Sequence, residues 1–345
     1  MNAFARRIIR WQPRHGRHGL PWQGTRDAYR VWLSEVMLQQ TQVDAVTGYY
    51  RRFLARFPDL RALAQAPQDE VLRLWSGLGY YARARNLHAT ARELLARHGG
   101  RFPRSLQELE ALPGIGRSTA AAIAVFAFGR KAAILDGNVK RVLARCFGIA
   151  GFPGDAAVQR ELWALAAKLV PARSPRTYTQ GLMDLGAAVC RRARPLCDAC
   201  PVDSLCVARR EGRIAELPAP RPRKAMPLRR AQWMVALQDG RVLLERRPSS
   251  GVWGGLWSFP ELNGRDAASF GRSIGCDIAA VRRLPALEHA FTHFRLRVLP
   301  LLCDVRRSSA RAERAGRLWL DVADAARSAV PTPVRNLLAQ LAARP

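Results

Sequence analysis

The sequence predicts a multidomain chain in which an all-α domain is followed by a smaller α+β domain. Segments with the period of a helix dominate the first part, as at 27–41, 69–74, 81–96 and 118–128. A run at 217–230, with four prolines and five basic residues, then excludes a helix because proline cannot continue one. After this run, two short strand patterns flank Asp239-Gly240, a dipeptide typical of a hairpin turn.

These patterns place the all-α domain at 1–213, an extended basic linker at 214–230 and the α+β domain at 231–345. The chain has 345 residues, 48% of them hydrophobic, and can therefore bury more than one core. Three patterns define the second domain: alternation at 232–237, extended chain at 289–304 and a helix at 332–343.

The charge of the chain indicates a polyanionic partner. Lys and Arg total 56 against 27 Asp and Glu, a net charge of +29, which favours nucleic acid. The basic residues are spread along the whole chain, whereas a protein that binds a membrane surface usually carries one basic amphipathic helix. The first residues, MNAFARRIIRWQ, contain no apolar run typical of a signal peptide or a membrane span. We therefore expect a cytoplasmic, nucleoid-associated bacterial protein.

Four of the seven cysteines form a motif with the spacing C-x6-C-x2-C-x5-C. They are Cys190, Cys197, Cys200 and Cys206. Four thiolates on short loops bind zinc or an iron–sulfur cluster, and zinc sites usually combine two short C-x2–4-C pairs. The spacing therefore favours the cluster and leaves zinc as the alternative. The other three lie in apolar stretches and are expected to be buried thiols: Cys146, Cys276 and Cys303.

A glycine-rich turn between two helical segments has the composition of a phosphate-binding site. In LPGIGRSTA, residues 112–120, Gly114 and Gly116 allow a tight turn that exposes backbone N–H groups at a helix N-terminus. This pattern predicts a helix-hairpin-helix near 108–128. An ordinary helical turn is the alternative, but the basic chain and the adjacent Arg117 favour contact with a DNA backbone.

Two carboxyl groups are candidates for acid and base chemistry. Asp27 is expected to cap a helix on which Glu35 lies in a stripe with apolar neighbours, and such surroundings raise the pKa of a carboxyl group. Pairing of Glu35 with an arginine is the alternative. Asp136 is expected to cap the helix that begins at 137 or 138. One acid and one carboxylate are the pair that cleavage of a glycosidic bond requires.

Five motifs occur together along the chain. They are LSEVMLQQTQV (33–43), GLGYYARARNL (77–87), LPGIGRSTA (112–120), ILDGNVKRVL (134–143) and the four-cysteine loop (190–206). Together they resemble the adenine DNA glycosylase, or MutY, family, which combines an all-α helix-hairpin-helix glycosylase domain with one 4Fe-4S cluster per chain. The resemblance implies a monomer of base excision repair that flips adenine out of double-stranded DNA and excises it opposite 8-oxoguanine or guanine.

The resemblance also implies individual roles. Glu35 would protonate N7 of adenine, Asp136 would stabilise the oxocarbenium-like sugar, and Asn138 would orient Asp136. The residues that would line the adenine pocket are Trp22, Gln23, Leu38 and Gln180. Those that would enter the duplex and contact the opposite 8-oxoguanine are Gln40, Thr41, Leu78 and Tyr80, with Tyr80 stacking where the helix opens.

Ser118 distinguishes this chain from endonuclease III, which shares the hairpin and the cluster but acts on oxidised pyrimidines. That family has a lysine at this substrate-binding position, and its amine attacks the sugar as a Schiff-base nucleophile. We therefore expect a monofunctional glycosylase with weak or no lyase activity, assisted at most by Lys140. A noncatalytic DNA-binding protein is another alternative, and it would have no use for Glu35 and Asp136. The cluster loop carries three arginines that indicate phosphate binding: Arg191, Arg192 and Arg194.

The second domain resembles the Nudix-like (MutT-like) domain of the same family in RRPSSGVWGGLWSFPEL (246–262) and HAFTHFRL (289–296). A Nudix hydrolase holds Mg²⁺ with several glutamates, and 254–280 contains only Glu261, so we expect no nucleotide hydrolysis. The resemblance implies that Phe291-Thr292-His293 recognises 8-oxoguanine, with Thr292 in place of the family's serine. Two nearby tryptophans are expected to pack in the core: Trp253 and Trp257.

Overall fold

A computed structural model describes residues 1–222, 225–313 and 316–343, which form two compact units. The first unit is Met1–Gln65 with Asn86–Arg223, and the second is Ala66–Arg85 with Lys224–Pro345. The sequence patterns did not indicate that 66–85 belongs with the second unit. The domain boundaries drawn from the sequence stay predictions. Residues 314–315 and 344–345 of the predicted second domain, and 223–224 of the predicted linker, lie outside the described residues.

Residues 1–222, all of them described, contain α-helices and no strand, as predicted. The helices are α1 (Ala3–His15), α2 (Ala28–Leu38), α3 (Val43–Arg56), α4 (Leu60–Gln65), α5 (Gln68–Trp75), α6 (Ala82–Arg97), α7 (Leu106–Ala111), α8 (Arg117–Phe126), α9 (Gly137–Phe147), α10 (Ala156–Leu169), α11 (Pro175–Asp184) and α12 (Val207–Arg210). The four predicted helical segments correspond to α2, α5, α6 and α8. No helix among the described residues is both long and apolar enough to cross a membrane.

The core of the first unit lies where α1, α9, α10 and α11 pack together. Ile8, Leu143 and Leu162 are fully buried there, and burial of each such side chain contributes about 1.5–3 kcal/mol. Gly181 lets α1 approach α11, because a Cβ at this position would lie 2.8 Å from Cγ2 of Ile8. This close contact fixes the end of α1 and therefore the start of the loop that follows it.

The second unit contains a seven-stranded mixed sheet within its described residues. The strands are β1 (Leu228–Gln238), β2 (Arg241–Arg246), β3 (Trp257–Ser258), β4 (Cys276–Arg283), β5 (Leu287–Ala290), β6 (Arg295–Ser308) and β7 (Arg317–Asp321). Their order is β3-β2-β1-β6-β4, with β5 also paired to β6 and β7 to β2. Only the β1–β6 pair among them is parallel. The unit also contains α5, which lies within Ala66–Arg85, and three helices from its longer segment: α13 (Ala267–Ile274), α14 (Val322–Arg327) and α15 (Thr332–Ala342).

The hairpin between β1 and β2 forms as predicted. Asp239 and Gly240 have φ angles of 49° and 74°, the left-handed values that a tight turn of this hand requires. The predicted alternation in β1 is wrong, because Trp233, Met234, Val235 and Ala236 are buried in succession. A strand in the middle of a sheet that is covered on both faces buries consecutive residues.

Several packing predictions can be compared with the structure. The three scattered thiols are buried, as expected: Cys146, Cys276 and Cys303. Trp253 is 8% exposed and contacts the Trp233 ring at 5.9 Å between centroids, which confirms core packing. Trp257 is only half-buried, because it lies on the short strand β3 at the end of the sheet order.

Candidate active site and nucleic-acid interface

Glu35 lies on the third turn of α2, a helix that begins where Asp27 accepts hydrogen bonds from the N–H groups of Tyr29 and Arg30. The carboxyl group is half-buried, and among the described residues no arginine forms an ion pair with it. Burial, together with the negative charge of Asp136, raises the pKa of Glu35 to about 8. Glu35 is therefore an acid that retains its proton near neutral pH.

Asp136 caps the N-terminus of α9, as the sequence predicted. Its Oδ1 accepts a hydrogen bond of 2.7 Å from the N–H of Val139. Burial is the largest influence on Asp136 and leaves its pKa above the ordinary value, although the N–H groups of Val139 and Asn138 and the charges of Arg141 and Arg17 lower it. These donors and cations all favour the carboxylate form. The two carboxyl groups consequently differ in what sets their pKa, because no cation or hydrogen bond of the described residues offsets the burial of Glu35.

A cavity of about 600 Å³ opens beside Glu35. Its lining contains the four residues that the resemblance assigns to an adenine pocket: Trp22, Gln23, Leu38 and Gln180. Asp136 does not line this cavity and acts on Glu35 through its charge. The volume is within the range of small-molecule binding sites, which bury most of the surface of their ligand.

A buried carboxylate that the sequence analysis missed anchors the pocket. Asp184, at the end of α11, is fully buried and accepts hydrogen bonds from Nε of Arg17 at 2.8 Å and Nε2 of Gln180 at 3.0 Å. The side chain of Gln23 donates in turn to the carbonyl of Arg17 at 3.0 Å. Gly16 must be glycine, because a Cβ there would lie 2.9 Å from Oδ2 of Asp184. No motif indicates this pair, whose members are 167 residues apart in the chain.

The segment that carries Asp136 is held from two sides. Oγ of Ser118, on α8, accepts a hydrogen bond of 3.1 Å from the N–H of Leu135. On the other side, the guanidinium of Arg141 donates to Oδ1 of Asn138 and to the carbonyl of Gly186, both at 2.8 Å. The Asn138 side chain therefore binds Arg141, while its backbone N–H bonds Asp136. The predicted roles of Ser118 and Asn138 toward substrate stay predictions.

The glycine-rich turn joins α7 to α8. Gly114 takes a positive φ of 73°, and a Cβ there would lie 2.6 Å from Cβ of Asn86, so both conformation and space require glycine. Gly116 has an extended backbone and caps α8 without a side-chain hydrogen bond, which leaves the first N–H groups of the helix available. The buried Thr90 hydroxyl donates to the carbonyl of Pro113 at 2.7 Å and fixes the turn.

The four clustered cysteines border one small cavity. A turn of π-helix at Leu185–Val189 leads to Cys190, and short 3-10 turns at Cys197–Ala199 and Asp203–Leu205 separate the others. Arg145 of α9 donates to Sγ of Cys190 at 3.5 Å and to the carbonyls of Arg191 and Arg192 at 2.7 and 3.1 Å. Within the described chain, no three His, Cys, Asp or Glu side chains are grouped closely enough for a single metal ion.

The residues expected to enter the duplex are divided between the two units. Gln40 has a positive φ of 56° and is exposed, and Thr41 is half-buried. In the second unit, Tyr80 also has a positive φ, is 43% exposed and has the guanidinium of Arg83 5.5 Å from its ring centroid. Leu78 is buried, and its contact with DNA stays a prediction.

The Phe291-Thr292-His293 segment forms the turn between β5 and β6. The N–H of Phe291 donates to the carbonyl of Phe294 at 2.9 Å, and the two rings stack with centroids 4.4 Å apart. Phe291 is half-buried, whereas Thr292 and His293 are exposed with Oγ1 and Nδ1 3.3 Å apart. The turn therefore presents polar groups on a base of packed aromatic rings.

Comparison with known proteins follows the same division of the chain. Residues 33–168 match the HhH-GPD superfamily base excision DNA repair protein family, and residues 232–340 match the NUDIX domain family. The adenine DNA glycosylase of Buchnera aphidicola subsp. Baizongia pistaciae is 34% identical over 341 residues, which cover 98% of this chain and 97% of that protein. The adenine DNA glycosylase of Homo sapiens is 35% identical, over 86% of this chain and 66% of its own length.

Solved structures resemble the helical part of the chain. A thermostable thymine-DNA glycosylase has a TM-score of 0.55 at 31% identity and covers 60% of this chain and 95% of its own. A trapped endonuclease III–DNA covalent intermediate has a TM-score of 0.52 at 23% identity, over 60% of this chain and 94% of its own, which supports the fold. The all-α fold followed by a Nudix-like domain is confirmed.

Proposed function

The chain belongs to the adenine DNA glycosylase family, and on that premise we propose that it excises adenine paired with 8-oxoguanine or guanine in double-stranded DNA. Base excision repair by a DNA glycosylase is the activity that its relatives and its HhH-GPD match support. One observation carries the proposal most directly: Glu35, with its pKa raised to about 8, borders a cavity of about 600 Å³ and lies within electrostatic reach of Asp136.

Glu35 acts as the general acid. It donates its proton to N7 of the flipped adenine, so that the bond between C1′ of the sugar and N9 breaks with its electrons leaving on a neutral base. Water then adds to C1′ and loses a proton, for which the Glu35 carboxylate is the available acceptor. A carboxyl group with a pKa near the working pH is suited to both steps.

Asp136 acts as the anion that stabilises the developing positive charge on the sugar. Burial leaves the pKa of Asp136 raised, and the N–H groups at the start of α9 and the charges of Arg141 and Arg17 oppose that shift and favour the carboxylate form. Holding one carboxyl group protonated and its neighbour ionised is the division of roles that acid-assisted glycosidic cleavage needs. Gln23 and Gln180, anchored through Arg17 and Asp184, hold the adenine in the pocket.

The reaction ends with an abasic site, with weak or no strand cleavage. The hydroxyl of Ser118 already accepts the N–H of Leu135, and it offers no amine to form a Schiff base. The amine of Lys140 donates to the carbonyl of Pro153 at 3.1 Å, and burial lowers its pKa. Lys140 is therefore the amine to which any weak lyase activity is assigned.

The four-cysteine loop is proposed to bind one 4Fe-4S cluster. Four half-buried cysteines line one small cavity, as four-thiolate ligation of a cluster requires, and a cluster separates its ligands further than a single ion does. Cys190, Cys197, Cys200 and Cys206 would hold the cluster, and the bound cluster would cross-link the loop. The loop then presents the exposed Arg191, Arg192 and Arg194 to DNA phosphates.

The second unit is proposed to recognise 8-oxoguanine through Phe291-Thr292-His293. The exposed Thr292 hydroxyl and the His293 ring nitrogens supply hydrogen-bonding groups for the edge of a modified base. The stacked Phe291 and Phe294 rings hold these groups in place. We propose that the chain performs the reaction as a monomer, since both carboxyl groups and the adenine pocket come from one chain.

A single-turnover glycosylase assay tests the proposal with three duplexes: adenine opposite 8-oxoguanine, adenine opposite guanine, and an oxidised pyrimidine. We expect release of adenine from the first two and no reaction with the third. Release of the pyrimidine would favour a lyase of the endonuclease III kind, and binding without release of any base would favour a noncatalytic DNA-binding protein. Iron and sulfide analysis of the purified protein distinguishes a cluster from zinc.

A further inference from the structure

Arg117, the first residue of α8, lies over an aromatic ring from a different helix. Its guanidinium carbon is 4.0 Å from the ring centroid of Trp163, on α10. Arg117 is exposed and Trp163 is half-buried. Among the described residues, no carboxylate forms an ion pair with Arg117. In a chain with several arginine–carboxylate pairs, this cation is instead held by an aromatic ring.

Within the described part of the chain, the Arg117 side chain makes this contact with the Trp163 ring and no hydrogen bond. A guanidinium group carries its five N–H donors around its planar edge, and it stacks on an aromatic ring through its face. The ring therefore restricts the orientation of the group without using any donor. A planar group held in this way can offer two parallel N–H groups to the oxygens of one phosphate.

Both partners of the stack rest on fixed elements. Gly116, which precedes Arg117, follows the turn that Thr90 holds through the carbonyl of Pro113. Trp163 follows Leu162, which is fully buried in the core where α10 packs against α9. The distance between the stacked groups is therefore set by the packing of the unit. The free N–H groups of the glycine-rich turn and the edge of Arg117 lie next to each other along the chain.

We propose that Trp163 is a positioning residue of the DNA-backbone clamp, which holds the guanidinium of Arg117 so that its edge meets a phosphate bound at the glycine-rich turn. This inference rests on the proposed function, because it assigns DNA to the turn. Trp163 touches Arg117 and acts through it. An exposed cation–π contact of this kind is worth about a twofold to fivefold change in affinity.

A double-mutant cycle on DNA affinity tests the inference. The duplex contains adenine opposite 8-oxoguanine, and binding is measured by fluorescence anisotropy in the Glu35→Gln background at several salt concentrations. We expect Arg117→Ala to reduce the slope of log K against log salt by about 0.9, as expected for one lost phosphate contact. We expect Trp163→Leu to weaken binding about twofold to fivefold and to lower the slope in the same direction.

The diagnostic result is the double variant. If Trp163 acts through Arg117, then Arg117→Ala with Trp163→Leu binds as Arg117→Ala alone does. Equal losses from Trp163→Leu in both backgrounds, or no loss in either, would overturn the inference. Trp163→Phe keeps a ring and should recover part of the affinity, and it replaces Trp163→Leu in the cycle if the leucine variant does not fold. Trp11→Leu is the matched control, because Trp11 is also half-buried but stacks on His15.

The failure of this inference differs from the failure of the proposed function. A wild-type protein that binds the duplex but releases no adenine would refute the proposed activity, and the double-mutant cycle on DNA affinity could still be measured. An Arg117→Ala variant with unchanged affinity and slope would remove Arg117 from the clamp, and Trp163 with it, while adenine release by the wild-type protein stayed intact.

Discussion

Replacement of Glu35 by glutamine should abolish adenine excision and at the same time stabilise the protein. Burial raises the pKa of this carboxyl group from an ordinary value of 4.5 to about 8, so the folded state disfavours the charged form. The resulting destabilisation is absent below pH 4.5, increases as the pH rises, and is complete once the pH passes about 8. Glutamine keeps the shape and has no charge, and it therefore removes this cost.

The expected gain in the free energy of unfolding depends on the pH interval in which Glu35 is ionised in the unfolded state but protonated in the folded state. Each pH unit in this interval contributes about 1.4 kcal/mol, and the 2.5 units between pH 4.5 and pH 7 therefore give an upper limit of about 3–4 kcal/mol. Glu35 is half-buried, and screening by solvent reduces the expected gain to about 1–2 kcal/mol. For a unit of this size, the melting temperature should rise by roughly 2–4 °C per kcal/mol.

Thermal unfolding at pH 5 and pH 7.5, followed by circular dichroism, measures the effect. The difference between Glu35→Gln and wild type should be small at pH 5 and larger at pH 7.5. Glu161→Gln is the matched control, since Glu161 is exposed on α10, and it should show no such dependence on pH. A Glu35→Gln variant that gains nothing at pH 7.5, or gains more at pH 5, would refute the assignment of Glu35 as a buried, protonated acid.

Three further predictions concern the same unit. The single-turnover rate of adenine release should fall about tenfold per pH unit above pH 8, as the Glu35 proton is lost, and a pH–rate profile without this decrease would exclude Glu35 as the acid. Asp184→Asn should weaken the anchoring of Arg17 and destabilise the protein by about 1–3 kcal/mol in urea unfolding, with a larger loss of excision than the exposed control Asp155→Asn. Cys200→Ser should lower both the iron content and the affinity for DNA, and unchanged iron would show that Cys200 is not a ligand.

The sequence predicted features that depend on a few neighbouring residues. The caps formed by Asp27 and Asp136 and the turn at Asp239-Gly240 involve contacts over at most four positions, and each formed as expected. The resemblance named Trp22 and Gln180, which line the same cavity. Such features follow from local backbone preferences and from motifs that retain their spacing.

Other features depend on packing between distant segments, and no local pattern indicates them. Arg17 and Asp184 meet only because α1 packs along α11 at Gly181. The burial of Trp233 to Ala236 depends on elements that cover both faces of β1, and the alternation seen in the sequence therefore failed. The stack of Arg117 on Trp163 likewise requires the tertiary arrangement of α8 and α10.

The hydrogen bond between Ser118 and Leu135 bears on how far a single substitution could change the reaction of this enzyme. A lysine at position 118 would introduce the amine that a Schiff-base mechanism needs. It would also remove the Ser118 hydroxyl, which accepts a hydrogen bond from the N–H of Leu135, one residue before Asp136. The substitution would thus add a nucleophile and at the same time weaken the support of the Asp136 carboxylate. We therefore expect that a change to lyase chemistry at this position would also need a second substitution that restores the support of Leu135.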